Sequence, residues 1–128
     1  MKDLLSNIGA VLALAPAVQA AATNGGAIDL QEYGSVVIAV STGAIVGDGD
    51  FGVKLQHSDT TTAGDFTDAP AINVASNAPA TLEASAGYKL GYSGSKRYVR
   101  LALTKDGGTS IALGAVAILG QPAVAPVA

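Results

Sequence analysis

Tyr88-Lys89-Leu90-Gly91-Tyr92, Arg97-Tyr98-Val99-Arg100-Leu101-Ala102-Leu103-Thr104 and Ser110-Ile111-Ala112-Leu113-Gly114-Ala115-Val116-Ala117-Ile118-Leu119 follow one another with only short turns of Gly, Ser, Lys and Asp between them. This punctuation reads as three β-strands. Successive side chains of a strand point to opposite faces. Tyr98, Arg100 and Ala102 therefore share one face of the middle segment, and Val99, Leu101 and Leu103 share the other. A sheet with one wet face follows.

The pattern continues toward the N-terminus. After Asn24-Gly25-Gly26, Ala27-Ile28-Asp29-Leu30 alternates, and Ser35-Val36-Val37-Ile38-Ala39-Val40-Ser41-Thr42 is a nearly continuous β-branched run expected as a central, well-buried strand. Val53-Lys54-Leu55-Gln56-His57-Ser58 reads as a half-wet strand, and Ile72-Asn73-Val74 and Thr81-Leu82-Glu83 as shorter ones. Pro70 and Pro79 place this middle portion at a sheet edge or in loops. With no long helical period and no internal repeat, the expected fold is all-β, an antiparallel β-sandwich or jelly roll of about seven to eight strands.

Three regions are expected: residues 1–24 as an N-terminal arm, 25–120 as the sandwich, and 121–128 as an extended, Pro-broken C-terminal tail. The arm resembles a secretory signal in its lysine, its apolar stretch and Ala20-Ala21-Ala22, although Asp3, Ser6, Asn7 and Pro16 depart from that pattern. It is too short and broken for a membrane span. Leu4, Leu5, Ile8, Val11, Leu12 and Ala15 recur at helical spacing, while Gly9 and Pro16 weaken a helix. The expectation is a short helix or an extended strap that docks its apolar side, Leu4, Leu5, Ile8 and Leu12 foremost, on a neighbour.

Composition narrows the chemistry. The 128 residues contain no Cys, no Trp and a single His, which removes thiol chemistry, disulfides and Cys-bearing zinc sites. A net charge of −3 gives no basic footprint for nucleic acid. Apolar content comes mostly from Ala and Val, so the core is thin and part of the apolar surface is expected to meet a partner.

Few side chains are equipped for catalysis. Asp48, Asp50, Asp59, Asp65 and Asp68 cluster in Gly- and Thr-rich loops, but Asp48-Gly49-Asp50-Phe51-Gly52 lacks the full calcium-loop pattern and its terminal Glu. Solvated turns explain these residues as well, and no metal or other cofactor is assigned. His57 stands near Asp59, Thr61 and Asp65 without a nucleophile elbow, so a hydrolase on these residues is the weakest of three functional readings. Lys96, Arg97 and Arg100, flanked by Tyr92 and Tyr98, form the one local basic concentration; such a set suits an acidic patch on a partner or a sugar ring.

The string Gly52-Val53-Lys54-Leu55-Gln56-His57-Ser58-Asp59-Thr60-Thr61-Thr62-Ala63-Gly64-Asp65-Phe66-Thr67-Asp68, with Tyr88-Lys89-Leu90-Gly91-Tyr92, Lys96-Arg97-Tyr98-Val99-Arg100 and the final Ala- and Val-rich strand, resembles small proteins of tailed-phage and prophage head-gene clusters. Those proteins are similar to capsid decoration, or cement, proteins. The resemblance implies a non-enzymatic sandwich on the outer surface of a virion, made in the host cytoplasm and clamping adjoining subunits of the major capsid protein. It also implies a homo-oligomer, a dimer in preference to a trimer, with neither nucleic acid nor membrane as partner. Many weak identical contacts would then add up across the shell. The expected partner-binding residues are Leu4, Leu5, Ile8, Leu12, Tyr92, Arg97, Tyr98 and Arg100. The rival reading is a secreted carbohydrate- or surface-binding module with a cleaved signal, using Tyr88, Tyr92 and Tyr98 as stacking platforms.

Overall fold

The computed structural model describes residues 5–122. Ten strands are found in this range: β1 (Gly9–Gln19), β2 (Thr23–Asn24), β3 (Ile28–Asp29), β4 (Tyr33–Val46), β5 (Asp50–Ser58), β6 (Thr67–Asp68), β7 (Val74–Ser76), β8 (Gly87–Tyr92), β9 (Tyr98–Gly107) and β10 (Ser110–Pro122). Three single 3₁₀ turns, Leu5–Asn7, Ala63–Asp65 and Ala71–Asn73, are the helical elements among the described residues, and no helix there is long and apolar enough to cross a membrane. The first sheet runs β1-β10-β4-β8-β7; the second runs β2-β9-β5-β6, with β3 also paired to β9. All pairings are antiparallel. The chain is an all-β sandwich.

Alternation decides the core. Val36, Ile38 and Val40 of β4, Leu90 and Tyr92 of β8, and Ile111, Leu113, Ala115, Ala117 and Leu119 of β10 point inward from the first sheet. Phe51 and Leu55 of β5 and Val99, Leu101 and Leu103 of β9 meet them from the second. Each fully buried Val, Leu, Ile or Phe contributes about 1.5–3 kcal/mol.

The N-terminal segment departs from the expected arm. Residues 9–19 form neither a helix nor a strap reaching for a neighbour; they are the edge strand of the chain's own first sheet, paired along β10 from Gly9↔Leu119 to Gln19↔Ile111. Two irregularities hid this strand from a reading based on strict alternation. The register shift between Leu12 and Leu14 turns Ala13 and Leu14 both inward, and both are buried. The second shift sets Ala15 and Pro16 against Gly114, so the proline sits where the ladder asks for no N–H. A Cβ on Gly114 would lie 3.0 Å from Pro16, which accounts for glycine at that point of β10.

Other expectations need smaller corrections. Thr81-Leu82-Glu83 is a loop rather than a strand; its Leu82 is buried and its N–H donates to the carbonyl of Phe51 at 2.8 Å. Ala71–Asn73 is a 3₁₀ turn, and β7 begins only at Val74. β4 is central in its sheet as expected, yet only one of its faces is buried: Ala39 and Ser41 are exposed on the other. Of the expected tail, Gln121 and Pro122 complete β10, opposite the start of β4, and 123–128 lie outside the described residues.

Candidate interaction surfaces

The loop Ser93–Arg97 between β8 and β9 faces the turn between β3 and β4 at one end of the sandwich. Together they border an open groove of about 550 Å3, lined by Leu30, Tyr33, Val36, Tyr92, Lys96 and Arg97 among others. Backbone bonds hold the loop in place, with Leu30 N–H donating to the Arg97 carbonyl at 2.8 Å and Ser93 N–H to the Asn73 carbonyl at 2.8 Å. The two cations at its rim are already engaged. Arg97 donates Nε to Asp29 Oδ1 at 3.0 Å and Nη2 to Asp29 Oδ2 at 2.9 Å, and Lys96 Nζ lies 2.8 Å from Asp59 Oδ2. The Arg97 fork and the Gln31 N–H hold the Asp29 carboxyl below the usual carboxylate range, and Asp59 raises the Lys96 ammonium in return.

The outer face of the second sheet is polar and connected. Arg100 Nε donates to Gln56 Oε1 at 2.8 Å, Gln56 Nε2 donates to Asp68 Oδ1 at 2.9 Å, and Lys54 Nζ pairs with the same carboxylate at 3.0 Å. These donors, Gln56 foremost, lower the Asp68 carboxyl. Phe66 closes over the chain of bonds from above, with the Arg100 guanidinium carbon 4.5 Å from its ring centre. Tyr98, half-buried, receives the Arg97 guanidinium at 5.0 Å.

The expected partner-binding residues therefore fall into different environments. Arg97 is exposed and Tyr98 half-exposed on the second sheet, next to each other. Arg100, by contrast, is buried beneath Phe66 and serves the sheet itself. Tyr92 is also buried, with its hydroxyl 2.8 Å from His57 Nδ1 and accepting the Lys96 N–H at 3.2 Å. Tyr88 and Tyr92 point to the interior beside Val40 and Val36, so these two make no common stacking platform with Tyr98. Leu4 lies outside the described residues. Leu5 belongs to the first 3₁₀ turn, Ile8 is half-buried ahead of β1, and Leu12 is 58% exposed on β1.

The residues of the hydrolase reading do not converge. His57 is bonded to Tyr92, Asp59 to Lys96, and Asp65 to the Thr60 hydroxyl at 2.7 Å, so neither carboxylate orients the imidazole. Asp50 accepts the Thr81 hydroxyl at 2.7 Å, and among the described residues no three His, Asp or Glu side chains gather to hold a metal ion.

The apolar surface expected from composition was not located by the sequence reading. Residues directly opposite in neighbouring strands share a face, and the register Leu12↔Val116↔Ala39↔Lys89 runs across four strands of the first sheet on its outer side. The neighbouring row is Ala10↔Ile118↔Val37↔Gly91, continued by Ala75. Lys89 is the one charge in these two rows. The signal was present in Val37, Ala39, Val116 and Ile118, but long apolar runs read as strands buried on both faces. The two outer faces of the sandwich thus differ in kind, one ionic and one apolar.

No protein-family model matches the chain, and no curated protein matches it.

Proposed function

We propose that the protein is a non-enzymatic structural protein that decorates the outer surface of a tailed-phage capsid and stabilises the shell by clamping adjoining major capsid subunits. The observation that carries this reading is the contrast between the two outer faces of one small sandwich. A module with one ionic and one apolar face is equipped to lie between surfaces of different chemistry. Its polar side chains are tied to one another in pairs and chains instead of converging on a reacting atom. The resemblance of the segments around 52–68, 88–92 and 96–100 to capsid decoration proteins points the same way.

In this reading the ionic face and the Ser93–Arg97 loop meet the shell. The exposed pairs Arg97–Asp29 and Lys96–Asp59 add little to stability, and their use is to set orientation and register against complementary charges. The rival secreted module is supported less well. Its tyrosine platform is split between the interior and the second sheet, and cleavage after Ala20 would remove β1 with the buried Ala13 and Leu14.

The test is quantitative mass spectrometry of purified particles from a culture that produces the protein. A fixed molar ratio to the major capsid protein, and shells that withstand heating or chelation less well when the protein is stripped and better when it is restored, are the expected results. Absence from particles overturns the proposal. Lys96→Glu and Arg97→Glu are expected to weaken readdition and its salt dependence without altering the fold.

A further inference from the structure

We infer that Asn24-Gly25 is a latent modification site: Asn24 loses its side-chain amide to the backbone nitrogen of Gly25 whenever the two-residue strand β2 lifts off β9, and the fold both creates this site and holds it shut. This inference goes beyond the capsid reading and does not depend on it.

The chain carries four asparagines, at 7, 24, 73 and 77, and only Asn24 is followed by glycine. A glycine nitrogen has no side chain beside it and a freely turning backbone, so in Asn-Gly the amide carbon and the next backbone nitrogen meet most readily. Packing demands that glycine. A Cβ at 25 would fall on the Ala13 carbonyl oxygen, so no residue with a side chain fits between the bulge of β1 and the carbonyl of Leu101. The register Asn24↔Ala102↔Lys54 places Asn24 on the outer face of the second sheet, where it is exposed. The most reactive kind of asparagine is thus built in by the contact of its neighbour.

In the reaction the Gly25 nitrogen attacks Asn24 Cγ and a C–N bond forms, while the side-chain nitrogen leaves as ammonia with the proton that Gly25 gives up. Solvent water then opens the cyclic imide at either carbonyl and leaves aspartate or isoaspartate at 24. The native strand opposes ring closure twice. The Gly25 N–H already donates to the Leu101 carbonyl at 2.7 Å, and the extended backbone of β2 turns that nitrogen away from the Asn24 side chain. Yet β2 lies at the edge of its sheet, and its ladder is only Thr23↔Leu103 and Asn24↔Ala102. So short an element opens locally without unfolding the core. Aspartate can pair again afterwards. Isoaspartate adds one backbone carbon ahead of Gly25, which lies against Ala13 with no slack, so that product cannot restore the bond to Leu101 and loosens the connection between β1 and β2.

The experiment ages the purified full-length protein in mildly alkaline buffer, folded and in urea, with circular dichroism confirming the folded sample. The peptide that spans residue 24 is followed by mass spectrometry, and its aspartyl and isoaspartyl forms are separated by chromatography. Residue 24 is expected to convert in both samples, about 10- to 100-fold more slowly in the folded one, as befits the opening of one or two backbone bonds. Asn73 and Asn77, followed by Val74 and Ala78, are expected to lag far behind. Urea below the unfolding transition is expected to leave the folded rate nearly unchanged, because opening two residues exposes little surface. The isoaspartyl protein is expected to melt below the aspartyl one, and Asn24→Gln, with the dichroism of the wild type, to lose the conversion. Equal rates in the folded and urea samples, or a folded Asn24 still intact after several hundred half-lives of the urea sample, would overturn the inference. So would a folded rate that climbs steeply with low urea, or an isoaspartyl protein as stable as the aspartyl one. None of these outcomes touches the particle stoichiometry, so the two proposals fall separately.

Discussion

His57 on β5 and Tyr92 on β8 join the two sheets at the loop end of the sandwich: His57 Nδ1 lies 2.8 Å from the Tyr92 hydroxyl, and the rings meet edge to face at 5.6 Å. The same hydroxyl accepts the Lys96 N–H at 3.2 Å. The single histidine of the chain is therefore a tie between layers, and the tyrosine it meets also holds the far end of the β8–β9 loop.

Tyr92→Phe should cost about 1–2 kcal/mol, because it deprives two partners at once in a buried position. A double-mutant cycle with His57→Ala, read by urea denaturation, should return a coupling of about 1 kcal/mol. Strict additivity would mean that the bond contributes nothing.

β1 is part of the core sheet. Leu14→Ala should therefore destabilise the fold by about 2–4 kcal/mol, the cost of a buried leucine with the cavity it leaves. Val18→Ala, at a site 70% exposed, should change stability by less than about 0.5 kcal/mol. Deleting residues 1–22 should give a chain with weakened near-ultraviolet dichroism and lowered thermal midpoint, whereas a detachable arm would leave both intact.

Gly25 follows β2, and its N–H donates to the Leu101 carbonyl at 2.7 Å. A Cβ placed there would fall 1.9 Å from the Ala13 carbonyl oxygen, which is backbone and held by the β1 bulge. Gly25→Ala should cost at least about 1–3 kcal/mol. Gly64, with open space around the same position, should accept alanine at no loss and gain up to about 1 kcal/mol from the stiffer unfolded chain. Equal thermal midpoints for the two variants would contradict this packing.

The acid limb of stability should follow Asp29 and Asp68. Both carboxyls are held below the ordinary value of 3.8 by their donors, Arg97 and Gln56 first. A depressed folded value means that their contribution is complete above 3.8 and is lost as pH falls through the lower folded value. Urea midpoints of Asp29→Asn and Asp68→Asn should lie slightly below the wild type at neutral pH and merge with it in strong acid. The effect should be small and weaken with salt, since both carboxylates are exposed. A gap that widens in acid would reverse the sign.

Period-two patterning and turn residues were enough to locate β8, β9 and β10, the inward set Val99, Leu101 and Leu103, and the all-β class, because each of these depends only on neighbours along the chain. The absence of thiol chemistry was equally plain. β1 was illegible for a local reason with a distant cause: its bulges break the alternation, and they make sense only against Gly114 on β10. Arg100 and Tyr92 looked like surface anchors because alternation assigns a face but not what covers it. Phe66 and His57, far away in sequence, decide that both are enclosed. The apolar outer face has the same origin, since residues of β1, β10, β4 and β8 become one patch only when the strand order brings them together. Strand identity is a property of short-range periodicity, whereas surfaces are made by long-range pairing.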